Sequence, residues 1–409
     1  MLDESTSVVI IGAGQAGLSV AYYLQRLGMR AGTDFLLLDQ GPSAGGAWQH
    51  RWESLRLGSA HRVHDLPGMK AVGISFEDAD RSRPAREVVA DYYSRYETFY
   101  DLRVRRPVSV SAVFNRGADL VVGSDAGEIT THVVVNATGT WGSPFVPYYP
   151  GVQRFRGRQL HTASYRSAED FRGQRVLVVG GGTSAIGHLL ELEGVAESTV
   201  WVTRRPVDYL DHGTLDLEDA VTAVAAQDAA ARAGRALPSI VSGTGVPKTR
   251  RIAAGIHRGV LDPRPMFARL EEHEAVWEDG TREPIDAIIW ATGFRPDVRH
   301  LSPLRLHEKE GGIVVSTGAA ERDARIFFAG YGPTASTIGA NRSGRQVARQ
   351  VFAAVGDRVP PRPPQGPPQP SRARGSFRPS TAEVPITFRE DTAPANDAVS
   401  TLARFFADD

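Results

Sequence analysis

Short unbroken apolar runs, several of them closed by glycine, punctuate this chain. Val8-Val9-Ile10-Ile11 runs into Gly12-Ala13-Gly14-Gln15-Ala16-Gly17, and apolar residues then recur at helical spacing from Leu18 to Leu27. Such a run reads as a parallel strand buried on both faces, and the spacing after the glycines reads as a helix. Asp34-Phe35-Leu36-Leu37-Leu38 predicts a second strand, ending at Asp39, and Val133 to Asn136 predicts a third, closed by Ala137-Thr138-Gly139. The strand–glycine–helix order then returns at Arg175 to Val179, followed by Gly180-Gly181-Gly182-Thr183-Ser184-Ala185. Ser198 to Thr203 predicts a strand ending in Arg204-Arg205, and Ala287 to Trp290 one that runs into Ala291-Thr292-Gly293. A last strand is expected over 324–330, with a Gly-rich loop and a helix near Ser343–Ala354 after it, and 216–234 reads as a surface helix.

The glycine spacings carry chemistry. Gly12, Gly14 and Gly17 form GxGxxG between a strand and a helix. The first glycine permits the turn, the second lets a pyrophosphate approach the backbone, and the third lets the helix pack on the strand. Asp39 closes the next strand, where a carboxylate accepts from a ribose hydroxyl. Gly180, Gly182 and Ala185 repeat the pattern, with Ser184 at the helix start. Their second strand ends in Arg204 and Arg205, which suit a 2′-phosphate and favour NADPH over NADH. Packing glycines and solvated strand-end arginines are the plainer alternatives. The fold class is α/β, with two Rossmann-like dinucleotide-binding domains, one inserted into the other. The expected boundaries are 1–168 with 295–356 for the outer domain, 169–294 for the inserted one, and 357–409 for a Pro-rich connector and tail. Within that tail 360–368 reads as extended connector, and Val399 to Phe406 as a short amphipathic segment.

Composition narrows the chemistry. Of 409 residues, 47 are Lys or Arg and 47 are Asp or Glu, so no basic surplus supports nucleic-acid binding. No apolar run approaches the ~18–20 residues of a membrane span. The early first strand leaves no room for a leader, so a cytoplasmic location is expected. There is no cysteine, which removes disulfides, thiolate ligands and a redox dithiol together. No HExxH or EF-hand pattern occurs, and no metal is expected. Two dinucleotide sites without a dithiol imply a flavin and a hydride donor. Electrons then leave the flavin directly, to dioxygen, a small molecule or a partner protein.

Phe155-Arg156-Gly157-Arg158-Gln159-Leu160-His161-Thr162-Ala163-Ser164-Tyr165 lies between the two units and reads FxGxxxHxxxY. With Gly45-Gly46-Ala47-Trp48, the two glycine motifs, Ala137-Thr138-Gly139 and Ala291-Thr292-Gly293-Phe294-Arg295-Pro296, it resembles the class B flavoprotein monooxygenases over roughly residues 6–355. The resemblance is to the flavin-containing monooxygenase branch, nearest its bacterial single-component members and the plant indole-pyruvate monooxygenases. The Baeyer–Villiger branch usually has Trp where Tyr165 stands.

The resemblance implies that NADPH reduces FAD, that the reduced flavin takes up dioxygen as a hydroperoxide, and that one oxygen atom passes to a small organic substrate. A nitrogen, a sulfur or another soft nucleophile is the first expectation. Baeyer–Villiger oxygenation, an NADPH-dependent flavin oxidase or reductase, and a redox sensor are the alternatives. A homodimer is left open. By the same resemblance Gly46 and Trp48 lie against the flavin, and Arg56 meets a phosphate or the flavin edge, or else pairs at the surface. Thr138, Thr292 and Gly293 lie where the chain crosses between domains near a cofactor. His161 couples NADPH binding to closure, or is simply a hydrogen-bonded interdomain histidine; Tyr165 and Phe155 are packing residues. Many members carry Asn near the flavin where this chain has Gly58, which leaves Ser59 and His61 as catalytic candidates beside His161.

Overall fold

The structure is a computed structural model that describes residues 4–60, 63–210, 217–237 and 245–359. The chain opens with β1 (Glu4–Ile11), α1 (Gln15–Arg26) and β2 (Phe35–Leu38). Two helices follow, α2 (Met69–Val72) and α3 (Ala85–Phe99), then the meander β3 (Val110–Arg116), β4 (Asp119–Ser124) and β5 (Gly127–Asn136). β1 pairs in parallel with β2 on one side and with β5 on the other. Its polar first half, absent from the expected strand, is held by pairing Glu4–Thr6 with Ile129–Thr131.

A second sheet is then built. Its first members are β6 (Arg158–His161), β7 (Arg175–Val179), α4 (Thr183–Leu192) and β8 (Ser198–Thr203). β9 (Tyr209–Leu210), α5 (Leu217–Arg232), β10 (Val246–Pro247) and α6 (Arg250–His257) lie beyond it. β11 (Pro263–Pro265) rejoins the sheet. A small antiparallel layer of β12 (Arg269–Leu270), β13 (Glu274–Val276) and β14 (Arg282–Pro284) precedes β15 (Ala287–Trp290). The order β11-β8-β7-β15-β6 is parallel throughout.

The chain returns to the first sheet through β16 (Val315–Ser316), β17 (Ala319–Ala320) and β18 (Ile326–Phe328), and closes with α7 (Thr337–Val355). β18 pairs in parallel with the end of β5, on the edge whose beginning is taken by β4. α7 starts two turns before the expected Ser343, because Ser336 caps it by accepting from the Gly339 N–H at 3.0 Å. Its buried Val347, Ala348, Val351 and Val355 share one core with Leu18, Val20, Ala21 and Leu24 of α1. The segments 360–368 and Val399–Phe406 lie outside the described residues.

The parallel part of each sheet reverses strand order near a glycine turn, β1 between β2 and β5 and β7 between β8 and β15. Ligands of open α/β sheets bind at such reversals. A Cβ on Gly17 would collide with the Gly12 carbonyl oxygen, whereas a Cβ on Gly14 would meet nothing within 4 Å. Gly14 is also extended, at φ −83°. Gly17→Ala is therefore expected to lose ~1–3 kcal/mol of stability by overpacking. Gly14→Ala is expected to stay within ~1 kcal/mol of the parent. Urea unfolding of both variants measures the difference.

Candidate functional site

The two glycine turns are built alike. Gly12 has φ +104°, and a Cβ there would lie 2.5 Å from the Ala137 carbonyl oxygen. Gly180 has φ +135°, and its Cβ would collide with the Ala291 carbonyl oxygen. Both acceptors belong to an Ala-Thr-Gly turn at the end of the neighbouring strand. Neither α1 nor α4 has a side-chain cap at its N-cap glycine, Gly14 or Gly182. Their leading N–H groups are the natural place for an anionic ligand.

In the first crevice Asp39 is buried, and its carboxylate accepts from the Ala13 N–H and the Gly41 N–H, both at 2.8 Å. It thus ties the end of β2 to the glycine turn, and with two oxygens it keeps capacity for a further donor. Gly46, at φ +51°, packs on Gly14, since a Cβ there would stand 2.9 Å from the Gly14 Cα. It starts a short 3-10 turn, Gly46–His50, that buries Trp48 in the core shared with α1.

Gln15, unremarked in the motif, fastens this crevice. It accepts from the Tyr93 hydroxyl at 2.5 Å and donates to the Asn341 side chain at 2.9 Å and to the His64 carbonyl at 3.1 Å. Asn341 in turn donates to the Asp65 carbonyl at 2.7 Å. Tyr93 lies on α3, whose buried positions 85, 88, 89, 92, 93 and 96 follow helical spacing. That periodicity is the signal that finds this helix in the sequence.

In the second crevice Gly182 caps α4, Ser184 is half-buried in its first turn, and the Trp201 indole donates to the Gly180 carbonyl at 2.7 Å. Arg204 and Arg205 stand exposed just beyond β8, and neither is in an ion pair among the described residues. Arg56 is exposed and likewise without an ion pair there. The Ser59 hydroxyl, also exposed, donates to the Arg56 carbonyl at 3.1 Å. A side chain on Gly58 would press on the Arg81 backbone at 3.1 Å. His61 lies outside the described residues. Among them, no group of acidic and histidine side chains suits a metal ion, and no helix is long and apolar enough to cross a membrane.

The two sheets meet at a seam of named contacts. The Thr138 hydroxyl donates to the Asp297 carbonyl at 2.5 Å, and the Thr292 hydroxyl to the Phe145 carbonyl. His161 closes β6. Its Nδ1 accepts from the Ala163 N–H at 3.1 Å, which leaves the proton on Nε2 to be donated to the Gly293 carbonyl at 2.9 Å. Burial lowers its pKa, and the bond to the Gly293 carbonyl partly opposes that shift. Glu191 of α4 accepts from Trp52 at 2.9 Å, Ser54 at 2.8 Å and Tyr165 at 3.1 Å. One carboxylate thereby joins α4, the segment after Trp48 and the linker. Tyr165 and Phe155 are buried in the core, as packing residues. His50, Trp141, Phe294 and His161 form a column of rings, with centroids 6.0, 4.9 and 4.9 Å apart in that order.

His188 of α4 is fully buried between Trp52 and Tyr165, with Nε2 3.3 Å from the Thr162 hydroxyl. Burial first, then the nearby His161 and Arg51, lowers its pKa to about 3. Folding therefore excludes a proton that the unfolded chain binds below its ordinary pKa of 6.5. The stabilising effect is complete above 6.5 and is lost as pH falls toward 3. Across that window His188 is expected to contribute ~1.4 kcal/mol per pH unit to acid destabilisation. Urea titrations at stepped pH should show that slope reduced in His188→Phe.

Comparison with known proteins places this architecture. Residues 9–214 match the family model described as pyridine nucleotide-disulphide oxidoreductase. A flavin-containing monooxygenase from Stenotrophomonas maltophilia is 34% identical, superposes with a TM-score of 0.71, and aligns over 86% of this chain and 99% of its own. An indole-3-pyruvate monooxygenase of Oryza sativa subsp. japonica is 27% identical over 74% of this chain and 76% of its own length. Senecionine N-oxygenase of Tyria jacobaeae is 27% identical over 48% of this chain and 47% of its own length. The chain belongs to the pyridine nucleotide-disulphide oxidoreductase family, as an enzyme of its flavin monooxygenase branch, whose cofactors are FAD and NADPH.

Proposed function

We propose that this enzyme uses NADPH and dioxygen to insert one oxygen atom into a small organic substrate at a nitrogen, a sulfur or another soft nucleophile. FAD takes the β1–β5 crevice and NADPH the β7–β15 crevice, so that residues 1–168 with 295–356 form the FAD domain and 169–294 the NADPH domain. The observation that carries this reading is the doubled crevice, each glycine turn closed on an Ala-Thr-Gly carbonyl, in a chain with no cysteine. Without a dithiol, the path used by disulphide reductases is closed.

The residues suit the cofactors. Gly14 opens onto free space at an uncapped helix, a cradle that any Cβ would narrow. Gly12, Gly17 and Gly46 shape that cradle, Asp39 keeps acceptor capacity for a ribose hydroxyl, and Trp48 backs it. Arg56, exposed and without an ion pair among the described residues, is available to a phosphate. Gly180, Gly182 and Ser184 form the matching cradle at α4, and Arg204 and Arg205 take the 2′-phosphate. When bound, the flavin supplies oxygen activation and the nicotinamide supplies the hydride; the protein supplies placement and exclusion of water.

Thr138, Thr292 and Gly293 hold the chain crossings through hydrogen bonds to Asp297, Phe145 and His161. His161 is a positioning residue: both ring nitrogens serve the backbone, so it joins the linker to the turn after β15 and carries no proton for the chemistry. Ser59, bonded within its own turn, is weaker as a catalytic group. The overall balance is substrate, dioxygen, NADPH and a proton giving oxygenated substrate, water and NADP+. A relative named for N-oxygenation supports heteroatom attack. One named for indole-3-pyruvate supports a carbonyl substrate as the second reading.

Turnover under ¹⁸O₂ with a tertiary amine, a thioether and a 2-oxo acid tests the reaction. One labelled atom in the product, with product equal to NADPH consumed, is expected for at least one of them. Peroxide equal to NADPH consumed with all three would make the enzyme an oxidase. Replacing Arg204 and Arg205 by Gln is expected to raise KM for NADPH ~10–100-fold, the worth of a charge-assisted hydrogen bond, with KM for NADH changed less than ~3-fold.

A further inference from the structure

Arg51 follows the turn that starts on Gly14, and its environment is unusual for an arginine. Its guanidinium carbon lies 5.6 Å from the Trp48 ring centroid and 4.6 Å from that of Trp141. Its Nε is buried and has no hydrogen-bond partner among the described residues. Burial alone lowers its pKa to about 10, with no carboxylate opposing the shift. Arg106, at the same end of the first crevice, is by contrast matched by acids: it makes a two-pronged pair with Glu97 at 2.6 and 2.9 Å and lies 4.0 Å from Asp39.

A guanidinium in a half-buried side chain, with its Nε out of reach of water, stays charged, and stacking on indoles offsets only part of its desolvation. Such a group is completed by an anion. Its location says which kind. Trp48 stands two residues beyond Gly46, which packs on Gly14 of the first cradle. Trp141 follows the Ala-Thr-Gly turn of the same crevice. On the other side the charge reaches His188, a turn and a half into the helix of the second crevice.

We propose that Arg51 is an anion subsite between the two crevices and that it receives a phosphate of a bound dinucleotide. This rests on reading the crevices as dinucleotide sites. The shared chemistry is a diphosphate, and FAD and NADPH are its two sources. Its planar fork suits bidentate binding of phosphate oxygens.

The subsite makes a prediction of opposite signs that a merely structural stacking residue does not. In the flavin-stripped full-length chain, Arg51→Met removes an uncompensated cation, so the Tm is expected to hold or rise. The same variant is expected to bind one dinucleotide at least ~10-fold more weakly. FAD affinity is read by reconstitution of the stripped chain, and NADP+ affinity by titration of the flavin-loaded enzyme; the weakened arm names the source. Inorganic pyrophosphate is expected to raise the Tm of the stripped parent more than that of the variant. Arg51→Lys keeps the charge without the fork and is expected to fall between the two, and it serves as the test if the Met variant does not fold.

A lower Tm in the stripped variant, with both affinities within twofold of the parent, overturns the proposal. So does a parent that binds both dinucleotides but shows no response to pyrophosphate. A parent that binds neither dinucleotide overturns the reading of the crevices instead, and so separates the two failures.

Discussion

Two backbone carbonyls, those of Ala137 and Ala291, stand where a side chain on Gly12 or Gly180 would go. Much of the architecture depends on these two contacts. Because no Cβ intervenes, the end of β1 can lie against the turn after β5, and the end of β7 against the turn after β15. The strand order reverses at those places, so the helices that follow point their uncapped N-terminal ends into the openings between the turns. A single steric constraint, used twice, shapes both crevices.

What distinguishes the molecule from two independent nucleotide-binding units is the material between them. Glu191 gathers Trp52, Ser54 and Tyr165 from two other segments, and His161 spends both ring nitrogens on backbone groups at the crossing. Polar bonds of this kind fix direction as well as distance. They are better suited than apolar packing to holding two turns in register while ligands come and go. The same region keeps its ionisable groups neutral where they are buried, as in His188, while Arg51 retains a charge. The seam thus holds the Glu191 carboxylate, satisfied by three donors, and the Arg51 guanidinium, whose Nε has no partner among the described residues.

The crevices were legible in the sequence because their determinants are local: a run of four or five apolar residues, a glycine spacing, a terminal acid or arginine. The strands at 175–179 and 198–203 match to the residue for the same reason. α3 was equally legible from its 3.6-residue spacing, yet no motif drew attention to it. Gln15 was not, since it occupies a variable position of GxGxxG and gains meaning only from Tyr93 and Asn341, which approach it in space. Arg51 is the same kind of case. Its sequence neighbours give no sign of burial, because one of the indoles that covers it arrives from the far end of β5. Local rules reveal cradles; they do not reveal what closes over them.

The divided edge of β5 has a consequence for how the chain reaches this state. β4 covers the start of that edge soon after it is synthesised, but residues 134–136 wait for β18, which follows the whole second sheet. During synthesis the central strand of the first sheet therefore presents unpaired N–H and C=O groups, beside the very apolar Val133–Val135, while the inserted segment emerges. Such an edge invites pairing with another nascent chain. Sealing it demands a long-range closure that local folding cannot hasten. The arrangement that brings two crevices to one seam thus makes the first sheet the last to be finished, and ties its safety in the cell to the speed with which the intervening sheet folds out of the way.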